Sequence, residues 1–341
     1  MNNSTSDGEN VAFESMRLMP KQILHALEDV SKIEFDGNLS HAENIVIGGM
    51  GGSIYSYHII SSLYPDKLTV PIVALNDYRT PLFVNKKTLF IASSYSGTTE
   101  EAIQTAEDAK KRETLMTGIT VGDSLGDLLT SYDVPFYKII PTYNPSGQPR
   151  MGIGYMIFGT IALLQKLGYL TLSNEEIISA VERLEEENAK LEAQARTISE
   201  KVDNSLLIYV AAEHLNGAAH VIRNQTNETA KAFAEYNLVP ELNHHFMEGL
   251  TYPKDKNLTF IFYNSVLYSP RVQKRMALTA EVIEKQGAKI IEIDINAASQ
   301  IEQLIKCLQF GSYLTYFLAK KNNVDPTKIP WVDYFKKQLA A

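Results

Sequence analysis

Residues Thr88 to Ala102 read T-L-F-I-A-S-S-Y-S-G-T-T-E-E-A. Leu89 to Ala92 form a short apolar run of the kind that makes a buried parallel strand. The run ends in a cluster of hydroxyls, Ser93, Ser94, Ser96, Thr98 and Thr99, with Gly97 giving the turn its freedom. Glu100 and Glu101 then open a helical pattern that continues to Arg112. A strand that runs into small hydroxyl residues at a helix N-terminus makes an anion trap. Backbone N–H groups and the positive end of the helix dipole converge there, and Ser and Thr add donors without bulk. No Walker-type Lys is present, so a nucleotide P-loop is not indicated. The stretch predicts a phosphate carried by a small molecule; the alternative is that these hydroxyls only cap a helix.

The same grammar repeats on either side. Met19 to Ile33 has apolar residues at helical spacing. Asn44 to Ile47 read as a strand, followed by Gly48-Gly49-Met50-Gly51-Gly52-Ser53 and a helix to about Leu63. Pro71 to Leu75 and Leu115 to Val121 are further strands, and an apolar run, Val134 to Ile140, follows a short helix over Leu125 to Ser131. Pro149 to Leu167 reads as a long apolar helix. Ser173 to Val202 is a helix linking two halves, opened by a capping box of Ser173 and Glu176. The second half repeats the plan: strands over 206–212, 258–263 and 289–295, and helices over 214–231, 270–286, 299–322 and 330–340. Strands alternating with helices predict an α/β chain of two doubly wound domains, each a mainly parallel sheet flanked by helices. The boundaries expected are a disordered 1–12, a first domain over 13–170, the linking helix over 171–203 and a second domain over 204–341.

Composition narrows the partners. Lys plus Arg number 32 and Asp plus Glu 40, giving a net charge of −8, which argues against nucleic acid and against an anionic membrane surface. No apolar run is long enough to span a bilayer. Met1 to Asn10 lacks the basic start and apolar core of a signal peptide, so a cytoplasmic protein is expected. Cys307 is the only cysteine, which excludes a disulfide within the chain; its spacing with Leu304, Gly311 and Leu314 predicts a core thiol. Trp331 is expected to pack the terminal helix.

Several motifs carry possible chemistry. The glycine-rich segment at 48–53 stands where a dinucleotide fingerprint would, but the third glycine position falls on Ile54. With Ser53 it instead suits a second wall of the anion site. Neither serine cluster contains a G-x-S-x-G elbow, so serine-nucleophile hydrolysis is poorly supported. Arg150, directly after Pro149 at a helix start, opposes the helix dipole. It is either a surface residue or the holder of a carboxylate, a phosphate or a developing oxyanion. Two polar runs follow, Arg223 to Lys231 (R-N-Q-T-N-E-T-A-K) and Pro240 to Gly249 (P-E-L-N-H-H-F-M-E-G). Adjacent histidines on a strand point to opposite faces, so His244 and His245 predict no metal site. A Glu and a His meeting across a pocket can run proton transfers; either alone is more often structural.

Together these residues resemble the bifunctional phosphoglucose/phosphomannose isomerase family, built from two sugar-isomerase (SIS) domains, over about Met19 to Leu339. G-M-G-G-S at Gly49 to Ser53 and S-S-Y-S-G-T-T-E-E at Ser93 to Glu101 are similar to its two phosphate loops. The resemblance implies that Gly52, Ser53, Ser94, Ser96 and Thr99 bind the sugar phosphate. It implies that Arg150 stabilises an enediolate and that Glu228 is the catalytic base. His244, sixteen residues on, would be the ring-opening histidine, and Lys336, in preference to Lys337, a catalytic lysine. The implied reaction interconverts glucose 6-phosphate, and mannose 6-phosphate, with fructose 6-phosphate, and requires no metal or redox cofactor. Related isomerases complete the active site at a dimer interface, so a homodimer is expected. Thr98 in place of the usual Asn, Met151-Gly152 in place of an Ala pair, and His245-Phe246-Met247 depart from the pattern and bear on substrate preference. The alternatives are an isomerase of another phosphosugar and a non-catalytic sugar-phosphate sensor. For a sensor, Met1 to Leu39 is too short and too acidic to supply a DNA-binding module.

Overall fold

The structure, a computed structural model, describes residues 3–339. It begins with helix α1 (Asn3–Arg17) and α2 (Met19–Ser31), then strand β1 (Asn44–Gly48), α3 (Tyr55–Leu63), β2 (Ile72–Leu75) and β3 (Thr88–Ser93). There follow α4 (Glu100–Lys111), β4 (Leu115–Thr120), α5 (Asp123–Ser131), the two-residue β5 (Tyr137–Lys138), α6 (Ile153–Lys166) and α7 (Asn174–Lys201). The remainder is β6 (Leu206–Ala212), α8 (Asn216–Gln225), β7 (Ala234–Val239), α9 (Leu242–Gly249), β8 (Leu258–Asn264), α10 (Pro270–Lys285), β9 (Lys289–Asp294), α11 (Gln300–Lys321) and α12 (Pro330–Leu339). Among the described residues no helix is long and apolar enough to cross a membrane.

The chain divides into two compact units, Leu18–Glu185, and Met1–Arg17 together with Glu186–Ala341. The first holds a parallel sheet ordered β2-β1-β3-β4-β5. Its strands read as continuous apolar runs because helices cover both faces, and all six residues of β3, in the middle, are buried. Helix α6 is buried all round from Ile153 to Leu164, as a core helix must be, and α2 packs along it. The second unit repeats the plan with the order β7-β6-β8-β9, again all parallel. Its spine is α11, buried from Ile301 to Ala319. Cys307 lies in that spine and is fully buried, which raises the thiol pKa and keeps it unreactive.

Several expectations differ from the structure. The disorder expected for 1–12 is replaced by α1 from Asn3 onward, while residues 1 and 2 lie outside the described residues. Its apolar stripe is short, but Ala12 and Met16 are buried in the second unit, Phe13 stacks among Tyr313, Tyr316 and Phe317, and Gln309 Nε2 donates to the Met16 carbonyl at 3.0 Å. The helix read over 149–167 is broken: Pro149–Met151 form a separate 3-10 turn before α6. The helix read over 214–231 opens in a 3-10 turn, Glu213–Leu215, and ends in a π turn, Thr226–Ala230. Trp331 meets Tyr334 of the same helix edge-on at 6.4 Å but stays 81% exposed, and α12 buries no residue.

One buried titratable group sets an acid limit. His214 is 2% exposed, with Nε2 2.8 Å from Gln303 Oε1 of α11. Burial lowers its pKa, against a smaller opposing effect of the Gln303 hydrogen bond. The unfolded chain then binds the proton more readily than the folded one, so stability falls as pH drops below about 6.5. Denaturant midpoints measured between about pH 7 and pH 5 should decrease, and less steeply in His214→Gln.

Candidate active site

The hydroxyl cluster of the opening stretch is assembled at the carboxyl ends of β1 and β3, where open α/β sheets bind ligands. Ser53 lies buried in the 3-10 turn Gly51–Ile54 that follows β1. Its Oγ accepts from the Tyr95 N–H at 2.9 Å, and its carbonyl accepts from Ser93 Oγ at 2.6 Å, so the loops after β1 and β3 are tied together. Ser94 Oγ donates to Thr99 Oγ1 at 2.9 Å and accepts from the Gly97 N–H at 3.1 Å. Ser96 Oγ lies 3.1 Å from Thr98 Oγ1, and both side chains face solvent. Gly97 is required by its φ of +78° and because a methyl there would lie 1.9 Å from the Gly122 carbonyl.

Thr99 occupies the N-cap of α4, but its hydroxyl makes no capping hydrogen bond. The hydroxyls bond to one another and to the turn, leaving the first turn of α4 to present the donors that a helix N-terminus offers an anion. Thr98, where the resemblance has Asn, serves the same cluster through Ser96.

Arg150 stands beside this cradle. It lies in the turn Pro149–Met151 and is 1% exposed. A methyl built on Gly52 would sit 3.6 Å and 3.7 Å from the backbone of Pro149 and Arg150, so the two turns run side by side. Nη1 of Arg150 donates to Gln148 Oε1 at 2.8 Å. Three residues that sequence reasoning missed hold the turn. Gln22 of α2 donates to the carbonyls of Tyr143 (3.0 Å) and Met151 (2.9 Å) and accepts from the Gly154 N–H (3.1 Å). Asn144 donates to the Tyr95 hydroxyl at 2.6 Å and to the Gln148 carbonyl at 3.0 Å. Burial raises the Tyr95 pKa, so its hydroxyl stays neutral. Gly152 is demanded by Tyr95, since a methyl there would lie 2.6 Å from the ring. A signal was present for Gln22: an amide on the apolar stripe of an amphipathic helix needs buried partners.

The remaining candidates lie in the other unit. Glu228 is half-buried in the π turn Thr226–Ala230 that closes α8, and such turns recur at functional sites. The turn is pinned by its first two residues. Thr226 Oγ1 lies 2.7 Å from the buried Tyr209 hydroxyl. Asn227 Nδ2 donates to the carbonyls of Arg223 (3.0 Å) and Ala234 (2.8 Å), and its Oδ1 accepts from the Ala234 N–H (3.2 Å). His244 is exposed on α9, a helix with one buried residue, Leu242. The adjacent His245 is also on this helix, not on a strand as the sequence reading assumed. Lys336 is exposed in the last turn of α12, as is Lys337.

Glu228 and His244 of one chain are kept apart by β7. The turn bearing Glu228 is bonded to Ala234, where β7 begins, and α9 follows Val239, where it ends. Six strand residues span about 20 Å at ~3.3 Å each. The two residues of a single chain therefore follow opposite ends of a strand.

The chain resembles known proteins in sequence and in fold. Residues 191–339 match the family described as bacterial phospho-glucose isomerase C-terminal SIS domain. A bifunctional phosphoglucose/phosphomannose isomerase of Thermoplasma volcanium is 32% identical over 324 residues, covering 93% of this chain and 98% of the relative. One from Caldicellulosiruptor bescii is 29% identical, covering 96% and 98%. Among solved structures, tagatose-6-phosphate ketose/aldose isomerase from Escherichia coli has a TM-score of 0.72 at 16% identity, covering 94% of this chain and 96% of that one; it supports the fold alone.

Proposed function

The chain belongs to the bifunctional phosphoglucose/phosphomannose isomerase family, and on that premise we propose that it interconverts glucose 6-phosphate and mannose 6-phosphate with fructose 6-phosphate. The observation that carries the reading is the hydroxyl cradle with Arg150 beside it at the carboxyl ends of β1 and β3. Ser53, Ser94, Ser96 and Thr99, with the Gly52 backbone, hold the phosphate. That grip is remote from the reacting carbons and supplies binding energy that positions them.

The cyclic sugar opens first. His244, aided by Lys336, moves a proton between the anomeric hydroxyl and the ring oxygen. Glu228 then takes the proton from C2 of the aldose and returns it to C1 of the ketose, through a cis-enediol. Arg150, a permanent cation, offsets the charge that builds on oxygen as the proton leaves. The enediol is planar at C2, so return of a proton to either face gives the glucose or the mannose epimer; one intermediate serves both aldoses.

The length of β7 supports a dimer. Glu228 and His244 act on one sugar when the histidine comes from a partner subunit, and the exposed positions of His244 and Lys336 suit that role. Purified protein given fructose 6-phosphate should produce both aldose phosphates. Turnover of other ketose phosphates but not of fructose 6-phosphate would contradict the substrate assignment.

A further inference from the structure

The two sheets share a frame that can be aligned residue by residue. Gly48 of β1 pairs with Ala92 of β3, as Val210 of β6 pairs with Phe262 of β8. Three residues beyond Gly48 and Val210, a left-handed residue opens a 3-10 turn: Gly51 at φ +52° and Glu213 at φ +45°. Seven residues beyond Ala92 and Phe262 stand the N-caps of α4 and α10, Thr99 and Ser269. In this alignment the hydroxyls of Ser94 and Ser96 give way to Asn264 and Val266. Both carboxylate oxygens of Glu213 accept from the Ser269 N–H, at 3.2 Å and 3.0 Å, and one accepts from the Ser269 hydroxyl at 2.7 Å. The C-terminal half thus carries an anion of its own on the N-cap of α10. At Gly51, the position matching Glu213, a Cβ would meet nothing within 4 Å, so no side chain fills that place.

We propose that Glu213 is a built-in occupant that closes the C-terminal counterpart of the phosphate cradle, and that Gly51 is the residue that keeps the N-terminal one open. The inference rests on reading the Ser and Thr cradle as the phosphate site. It adds that the phosphate engages the Thr99 N–H and hydroxyl as Glu213 engages those of Ser269. It also makes the stoichiometry one phosphate per chain, since a carboxylate already seated on α10 repels a second anion.

Titration calorimetry with inorganic phosphate tests this on the full chain. Wild type should bind one phosphate per chain. Gly51→Glu should weaken binding more than about 100-fold, because a like charge then sits in the seat. Gly51→Ala, which imposes the backbone strain without the carboxylate, should weaken it less than about tenfold. Thermal melts report folding of both variants, and Glu213 itself shows that Glu is tolerated at this left-handed turn position. Undiminished binding by a folded Gly51→Glu, or two phosphates per wild-type chain, would overturn the proposal while leaving the phosphate reading intact. No phosphate binding by wild type would overturn both. Should Gly51→Glu not fold, the wild-type stoichiometry decides.

Discussion

Glu228→Gln is expected to lower kcat for fructose 6-phosphate by about 10²–10⁴-fold, the range for removal of a positioned general base. The amide keeps the shape and the hydrogen-bonding reach of the carboxylate but cannot accept a proton. On the proposed reading the phosphate cradle, not Glu228, supplies most of the substrate grip, so KM should stay within a few-fold of wild type. Stability should be nearly unchanged, because the π turn is held by Thr226 and Asn227 and not by Glu228 alone. Loss confined to kcat is the signature of a group that acts in the transition state. Steady-state kinetics and a thermal melt of the purified variant check both halves. A wild-type kcat would remove Glu228 from the chemistry.

The parallel sheets were legible because a strand covered on both faces reads as an unbroken apolar run, as Leu89 to Ala92 does. Strand β7 was not legible for the converse reason. It is an edge strand in which only Ala234 and Val239 are buried, so Glu235, Tyr236 and Asn237 blend into the polar runs on either side. Helix α9 buries only Leu242 and gives no periodic stripe. Missing β7 had a consequence for the site: the sixteen residues between Glu228 and His244 looked like a short tether, yet they contain a strand that holds the two apart.

The hydroxyl cluster was legible as a cluster because its residues lie in two contiguous loops. Pro149 marked a helix start, not the separate turn that carries Arg150, and that turn's supports come from Gln22, Tyr95 and Asn144, whose partners are distant in sequence and visible only after folding. Glu213 was invisible for a similar reason. A single carboxylate in an otherwise apolar segment signals nothing until α10 brings Ser269 to it.

The proposed shared site makes the sharpest demand on the account, because each substrate would then meet the glutamate of one subunit and the histidine of the other. Glu228→Gln and His244→Gln should each be nearly inactive as homodimers. In a heterodimer of the two, one site carries both lesions and the other carries none. Co-expressed with different affinity tags and purified through both, the heterodimer should show about half of wild-type activity per dimer, as two-fold symmetry requires. A heterodimer as inactive as its parents, or the failure of any heterodimer to form, would contradict the shared site.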